Sequence, residues 1–327
     1  MHRGVAGPSL SVVIPVFNEA ASLLGLFEEV TDAMLGLEGG YEILFVDDGS
    51  TDASPRILQE LAAKDPAVKL IVFRRNFGQT AAMMAGIEYA QGDVIVVMDG
   101  DGQNDPADIP LLLNRLSAGF DVVSGWRRDR KDARWRRVLP SRVANALISW
   151  ISGVHLHDYG CSLKAYRRDV IRAVRLYGEM HRFAPIYASW QGARVAELPV
   201  NHRPREHGES KYGLERVGKV LLDLLVVWFL GRYETRPMYV FGGFGFVCWG
   251  ISLASGTYAV WRKLFDATSF IQTPLPLLSV MAFITGVLSL LMGLLAELLL
   301  RTYYESQQRR PYSIRTSLNL EPEQREA

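Results

Sequence analysis

The sequence predicts an α/β protein with a mostly parallel sheet, followed by two helices that cross a membrane. Short β-branched runs alternate with segments of helical spacing over the first two thirds of the 327 residues, the pattern of strands buried on both faces and covered by helices. Two uncharged stretches follow, about 23 residues from Met238 to Val260 and about 22 from Pro274 to Ala296, each long enough for a hydrocarbon core of roughly 30 Å. A 49% hydrophobic content excludes disorder, and 36 Lys+Arg against 35 Asp+Glu removes the basic footprint of a nucleic-acid binder.

Residues 1–9 form a flexible N-terminus. The apolar run from Leu10 to Phe17 is too short for a secretory signal and runs into Asn18 and Glu19, so the first domain is expected in the cytosol. Strands are expected at Ser11–Val16, Tyr41–Val46, Val68–Phe73, Val94–Met98 and Asp121–Ser124, with helices at Ala20–Leu35, Ser54–Lys64 and Thr80–Ala90. This domain spans 10–211. Over 212–236, Leu221, Leu222, Leu224, Leu225 and Trp228 alternate with Glu215, Arg216, Lys219 and Asp223, giving an amphipathic helix and linker at the membrane interface or packed on the domain.

The spans are set at 237–261 and 274–300, with a cytoplasmic tail over 301–327 that is polar and loose after Pro311. Arg232 and Arg236 before the first span and Arg301, Arg309, Arg310 and Arg315 after the second place both termini in the cytoplasm. Arg262 and Lys263 in the loop weaken that contrast. Gly242, Gly243, Gly245, Gly250 and Gly256 offer close helix approach, for intramolecular packing or a homo-oligomer. Cys161 and Cys248 stand far apart, so neither a disulfide framework nor a thiolate metal site is expected.

The chemistry concentrates in Val96-Val97-Met98-Asp99-Gly100-Asp101-Gly102-Gln103, a buried strand ending in two carboxylates one residue apart. Two hard oxygen donors and an amide carbonyl from Gln103 suit Mg²⁺ or Mn²⁺ holding a diphosphate. Glycines at 100 and 102 let the backbone approach a ligand. An EF-hand fails, because position six would be Asn104 and position twelve Pro110. Pro15-Val16-Phe17-Asn18-Glu19 and Asp47-Asp48-Gly49-Ser50-Thr51-Asp52 end the first two strands, at the same ligand-binding edge. Ser50, Thr51 and Asp52 are assigned to turn and cap, Asp47 and Asp48 to a nucleotide. His155 and His157 lack a third ligand for zinc.

These segments, with Arg75-Asn76-Phe77-Gly78-Gln79, His157-Asp158-Tyr159-Gly160-Cys161, Gly208-Glu209-Ser210-Lys211 and Arg301-Thr302-Tyr303-Tyr304-Glu305, resemble family 2 glycosyltransferases of the GT-A fold, a Rossmann-like, mostly parallel catalytic domain. The resemblance is to polyprenyl-phosphate glycosyltransferases related to dolichol-phosphate mannose synthase and undecaprenyl-phosphate aminoarabinose transferase. It implies that Pro15, Phe17, Glu19, Asp47 and Asp48 line the base and ribose pocket, and that Asp99, Asp101 and Gln103 hold metal and donor diphosphate. It further implies that Arg137 and Ser141 bind an acceptor phosphate, with Arg127 standing in for an Arg absent at Gly125, that Arg205 and Lys211 close over the diphosphate, and that Asp158 orders acceptor or donor sugar. In the run from Trp126 to Arg137, guanidinium forks match phosphate geometry.

The function so implied is inverting, metal-dependent transfer of a sugar from a nucleotide diphosphate sugar, UDP-linked, to polyprenyl (undecaprenyl) phosphate. It takes place at the lipid bilayer's cytoplasmic face, in the inner membrane, and supplies lipid-linked sugar for envelope glycans. A processive polysaccharide synthase would carry Q-x-x-R-W, whereas Val195 follows Gln191-Gly192-Ala193-Arg194. A non-catalytic partner of a flippase would leave every one of these carboxylates idle.

Overall fold

The computed structural model describes residues 9–37, 39–128, 148–149, 152–174, 180–204, 237–266, 269–305 and 312–320. The chain divides into two units, Met1–Trp228 with Arg310–Ala327, and Phe229–Arg309.

In the first unit the strands are β1 Leu10–Val16, β2 Tyr41–Asp47, β3 Val68–Phe73, β4 Val94–Val97, β5 Val122–Trp126, β6 Lys164–Arg167, β7 Val195–Pro199 and β8 Ile314–Leu318. The helices are α1 Leu23–Met34, α2 Ser54–Lys64, α3 Gln79–Tyr89, α4 Ile109–Ser117, α5 Arg168–Ala173 and α6 Ala184–Trp190. One sheet joins the strands in the order β7-β5-β6-β4-β1-β2-β3-β8. The β1/β2, β1/β4, β2/β3 and β5/β7 pairs are parallel, whereas β6 runs antiparallel to β4 and β5, and β8 antiparallel to β3.

Alternation explains the two layers. Val12, Ile14 and Val16 of β1 face the core under α1, α2 and α4, with Leu26, Leu58 and Leu112. Val13, Ile95 and Val97 face the opposite core under α3, α5 and α6, with Ala82, Ile171 and Ala188. Both faces are buried, so the strands read as continuous apolar runs.

The tail expected to be loose after Pro311 is instead β8. Tyr312 stacks on Phe73 with ring centroids 5.0 Å apart, and the Asn319 side chain donates to the carbonyls of Ala62 (2.6 Å) and Val68 (2.9 Å). The physical reason is the edge of β3, whose unpaired backbone groups β8 satisfies.

The second unit contains α7 Pro237–Phe265 and α8 Leu275–Glu305. Within them Val240–Phe265 and Leu275–Ala296 are long and apolar enough to cross a membrane, over the stretches the sequence marks. Gly245 and Gly286 let the two backbones touch, since a Cβ on Gly286 would lie 2.9 Å from the Gly245 carbonyl oxygen. Serines between the helices are paired: the Ser252 hydroxyl donates to the Ser279 carbonyl (2.8 Å), and Ser289 to Phe241 (2.7 Å). Large apolar side chains such as Leu253 and Leu264 stay exposed, at 74% and 72%. The interfacial helix expected over 212–236 lies outside the described residues.

Candidate active site

β1 and β4 are neighbours although β2 and β3 come between them in sequence. Their carboxyl ends therefore flank a topological switch point, the crevice in which open α/β sheets bind ligands. The ends of β1, β2 and β4 bring Pro15, Phe17, Glu19, Asp47, Asp48, Asp99, Asp101 and Gln103 to this one edge.

The loops after β1 and β2 are stitched together. Asn18, held at φ 58°, donates its N–H to Ser50 Oγ (2.9 Å) and accepts from Thr51 N–H (2.8 Å). Asp52 accepts from Ala20 (3.2 Å) and Ser54 (2.9 Å), the turn-and-cap role expected of it. Asp48 receives the N–H groups of Phe77 (2.7 Å) and Gly78 (2.9 Å), so its carboxylate also shapes the loop that leads into α3. Asp47 is fully buried, and its Oδ1 has no hydrogen-bond partner among the described residues. Burial raises the acids of both Asp47 and Asp48.

The loop after β4 is held from two sides. Ser22 at the start of α1 donates to the Gly100 carbonyl (2.7 Å), and Gln79 at the start of α3 donates to Asp99 Oδ1 (2.6 Å). Gly102 sits at φ +72°, a conformation costly for any side chain. The N–H of Gln103 caps Asp101 (3.2 Å). Burial, then the neighbouring charge of Asp101, raises the acid of Asp99. A cation would relieve that repulsion. Among the described residues no three His, Cys, Asp or Glu side chains cluster, so the chain offers two carboxylates and the Gln103 amide. That donor set fits an ion taking its remaining oxygens from phosphates and water.

The structure changes the reading of Arg127. Its Nε and Nη2 donate to Asp158 Oδ2 (2.7 Å) and Oδ1 (2.9 Å), with both side chains buried. The fork expected to hold an acceptor phosphate is filled by a carboxylate; burial lowers the guanidinium's pKa, yet the pair outweighs this and the net shift is upward. Glu197 on β7 accepts the N–H groups of His157 (2.8 Å) and Asp158 (3.0 Å) and pairs with His157 Nδ1 (2.7 Å), while Trp126 stacks on His157 at 4.4 Å. Arg127, Asp158 and Glu197 are thus one unit. Arg137, Ser141, Arg205 and Lys211 lie outside the described residues.

Sequence reasoning missed Gln79, Lys164, Tyr166 and His181, which with Pro15 and Asp99 line a cavity between the sheet and α3. The alternation Ser162-Leu163-Lys164-Ala165-Tyr166 was the available signal, since it sends Ser162, Lys164 and Tyr166 to one face.

A mostly parallel sheet with an acidic edge at its switch point is the ligand-binding architecture of α/β proteins. Residues 11–175 match the model of glycosyl transferase family 2, and the chain belongs to that family. It is 42% identical over 321 residues to the dodecaprenyl-phosphate galacturonate synthase of Rhizobium johnstonii, covering 96% of this chain and 95% of that one. It is 38% identical over 318 residues to the undecaprenyl-phosphate 4-deoxy-4-formamido-L-arabinose transferase of Pseudomonas aeruginosa, covering 96% and 91%. The fold resembles glucosyl-3-phosphoglycerate synthase of Mycobacterium tuberculosis, solved with Mn²⁺, UDP and phosphoglyceric acid, at a TM-score of 0.52 and 16% identity over 69% of this chain and 79% of that one. The catalytic domain is a GT-A domain and the protein a glycosyltransferase.

Proposed function

We propose that this glycosyltransferase moves a sugar, with inversion, from a UDP-linked donor to a polyprenyl phosphate at the cytoplasmic face of a membrane. The observation that carries the reading is near-full-length identity, through the apolar helices, to relatives named for sugar transfer to dodecaprenyl and undecaprenyl phosphate. Support for the donor comes from the acidic edge itself and from the UDP and Mn²⁺ of the structural relative.

In this reading Pro15, Phe17, Glu19, Asp47 and Asp48 receive base and ribose. Asp99, Asp101 and Gln103 hold Mg²⁺ or Mn²⁺, which when bound offsets negative charge on the departing diphosphate. Arg205 and Lys211 close over that diphosphate, and their positive charges stabilise it as it leaves. Arg137 and Ser141 bind the acceptor phosphate. Its oxygen is ionised at neutral pH, so no strong general base has to remove a proton. Asp158, locked by Arg127 and Glu197, orders the sugar or the acceptor as a fixed carboxylate. The apolar helices bring the domain to the surface where the lipid acceptor resides.

The test is transfer of radiolabelled sugar from a panel of UDP-sugars into organic-extractable lipid, with Mn²⁺ and with EDTA. Label in the lipid phase that depends on polyprenyl phosphate and is lost in EDTA is the expected result. Label appearing in a polymer, or none with any donor, would overturn it.

A further inference from the structure

β8 lies against the end of β3 that leads into the loops at the acidic edge. Its ladder runs from Leu318 opposite Leu70 to Ile314 opposite Phe73, with the register shifting at Arg315 between the Val72 and Phe73 pairs. A bulge of this kind bends its strand. Just before the ladder, the Ser313 carbonyl accepts the N–H of Arg74 (3.0 Å). Tyr312 is buried, with its ring stacked on Phe73 at an interplanar angle of 15°. Its hydroxyl donates to the Glu88 carboxylate on α3. Tyr312 therefore touches β3 and α3, the two elements that segment 74–78 connects.

That segment forms a wall of the Asp48 loop. Phe77 packs edge-on against Phe73, with centroids 5.6 Å apart, and carries the Arg75 guanidinium over its ring at 4.1 Å. The backbone of Arg75 lies so close to Gly49 that a Cβ there would be 2.5 Å from the Arg75 carbonyl carbon. The N–H groups of Phe77 and Gly78 end on the Asp48 carboxylate. Contacts thus run without a break from Tyr312 through Phe73 and Phe77 to Asp48. Covering the β3 edge needs only the backbone of β8. Tyr312 stands outside that ladder, so its contacts add nothing to edge pairing and act on the segment beyond it. A loop fixed before the ligand arrives costs less to order on binding.

We propose that the C-terminal strand is a working part of the donor site, with Tyr312 a positioning residue that holds segment 74–78 against Asp48 and so sets nucleotide affinity. The proposal rests on the reading of Asp47 and Asp48 as nucleotide-binding and adds a determinant on the far side of the apolar helices in sequence.

The test compares the two ends of β8 in the full chain. Tyr312→Leu removes the stack and the bond to Glu88, while Leu318→Ala thins the packing at the other end, opposite Leu70. Thermal unfolding is measured beside calorimetric binding of UDP with Mn²⁺, and beside KM for donor and for polyprenyl phosphate. Both variants should lower Tm. Only Tyr312→Leu should weaken UDP and raise the donor KM, by about three- to tenfold, with the lipid KM unchanged. Tyr312→Phe keeps the stack, loses only the bond to Glu88, and should weaken UDP about threefold; it carries the test if the Leu variant does not fold. Parental UDP affinity in both Tyr312 variants would make the residue purely structural and overturn the proposal. Equal weakening by Leu318→Ala would trace the effect to general loosening of the sheet and overturn it too. A parent protein that binds no UDP would overturn the nucleotide reading itself, and the proposal with it, an outcome distinct from the other two.

Discussion

The two edges of the sheet hold similar buried polar residues and treat them in opposite ways. At the amino edge, Glu42 pairs with Lys69 at 2.5 Å and accepts from Ser11 Oγ (2.5 Å) and Gln91 N–H (2.5 Å), while Ser11 Oγ accepts from Gly92 N–H (2.7 Å) and Lys69 also donates to Gln91 (3.0 Å). At the carboxyl edge, one oxygen of Asp47 lacks a partner among the described residues, and Asp99 sits beside a like charge. A closed network rigidifies a fold, whereas an open one waits for a ligand. Buried polarity alone therefore does not mark a site; at the carboxyl edge it is the crowding of carboxylates, with one oxygen left over, that sets the two ends apart.

The sharpest way to break this contrast is Lys69→Met. It strands Glu42 in the core, and removing one partner of a buried pair costs about 3–5 kcal/mol. Denaturant unfolding should show that loss, with donor KM unchanged in the protein that remains folded. A large change in KM at unchanged stability would mean that the amino edge communicates with the site.

Asp101→Asn should act the other way, lowering transfer by about 10²–10³-fold while the circular dichroism melt stays near the parent's. Full transfer in EDTA by this variant would remove Asp101 from the metal.

Arg127→Lys tests a closed unit at the carboxyl edge. Loss of the bidentate fork to Asp158 should cost about 1–3 kcal/mol of stability, and any change in KM should be reproduced by Asp158→Asn. A raised lipid KM at constant stability would return Arg127 to the acceptor phosphate.

The smallest effect belongs to Asp47→Asn. Burial raises this acid above its unfolded value, so the folded state favours the protonated form. That preference is fully available below the unfolded pKa and is lost as pH rises through the folded one. At pH 7 the Asn variant of the ligand-free protein should be more stable, by about 1–2 kcal/mol, and the gain should shrink as pH falls toward 4. Nucleotide affinity should fall. A variant less stable than its parent at pH 7 would show that Asp47 is satisfied after all.

Much of this was legible in the residues. The first five strands were, because burial on both faces makes them nearly continuous apolar runs. β6, β7 and β8 were not: Lys164-Ala165-Tyr166-Arg167 begins and ends in charge, Val195–Pro199 is a half-buried edge, and Ile314-Arg315-Thr316-Ser317-Leu318 has apolar residues only at its ends. Asp47, Asp48, Asp99 and Asp101 were legible because strand ends converge at a parallel sheet's carboxyl edge. The pairing of Arg127 with Asp158 was not, since the partners are 31 positions apart and only the antiparallel β6 joins them. For Tyr166 only the alternation with Ser162 and Lys164 was legible; its missing partner shows only once the neighbours are placed.

β8 also sets an order in time. It is made after β3 by roughly 240 residues, which at about 5–20 residues per second leaves the β3 edge open for on the order of 10–50 s of synthesis. Both apolar helices emerge from the ribosome within that interval. The sheet therefore closes only when the hairpin of apolar helices has been produced, and a chain that stops early keeps a bare strand edge. A nascent enzyme whose apolar helices have not been made therefore also lacks the strand that covers the β3 edge.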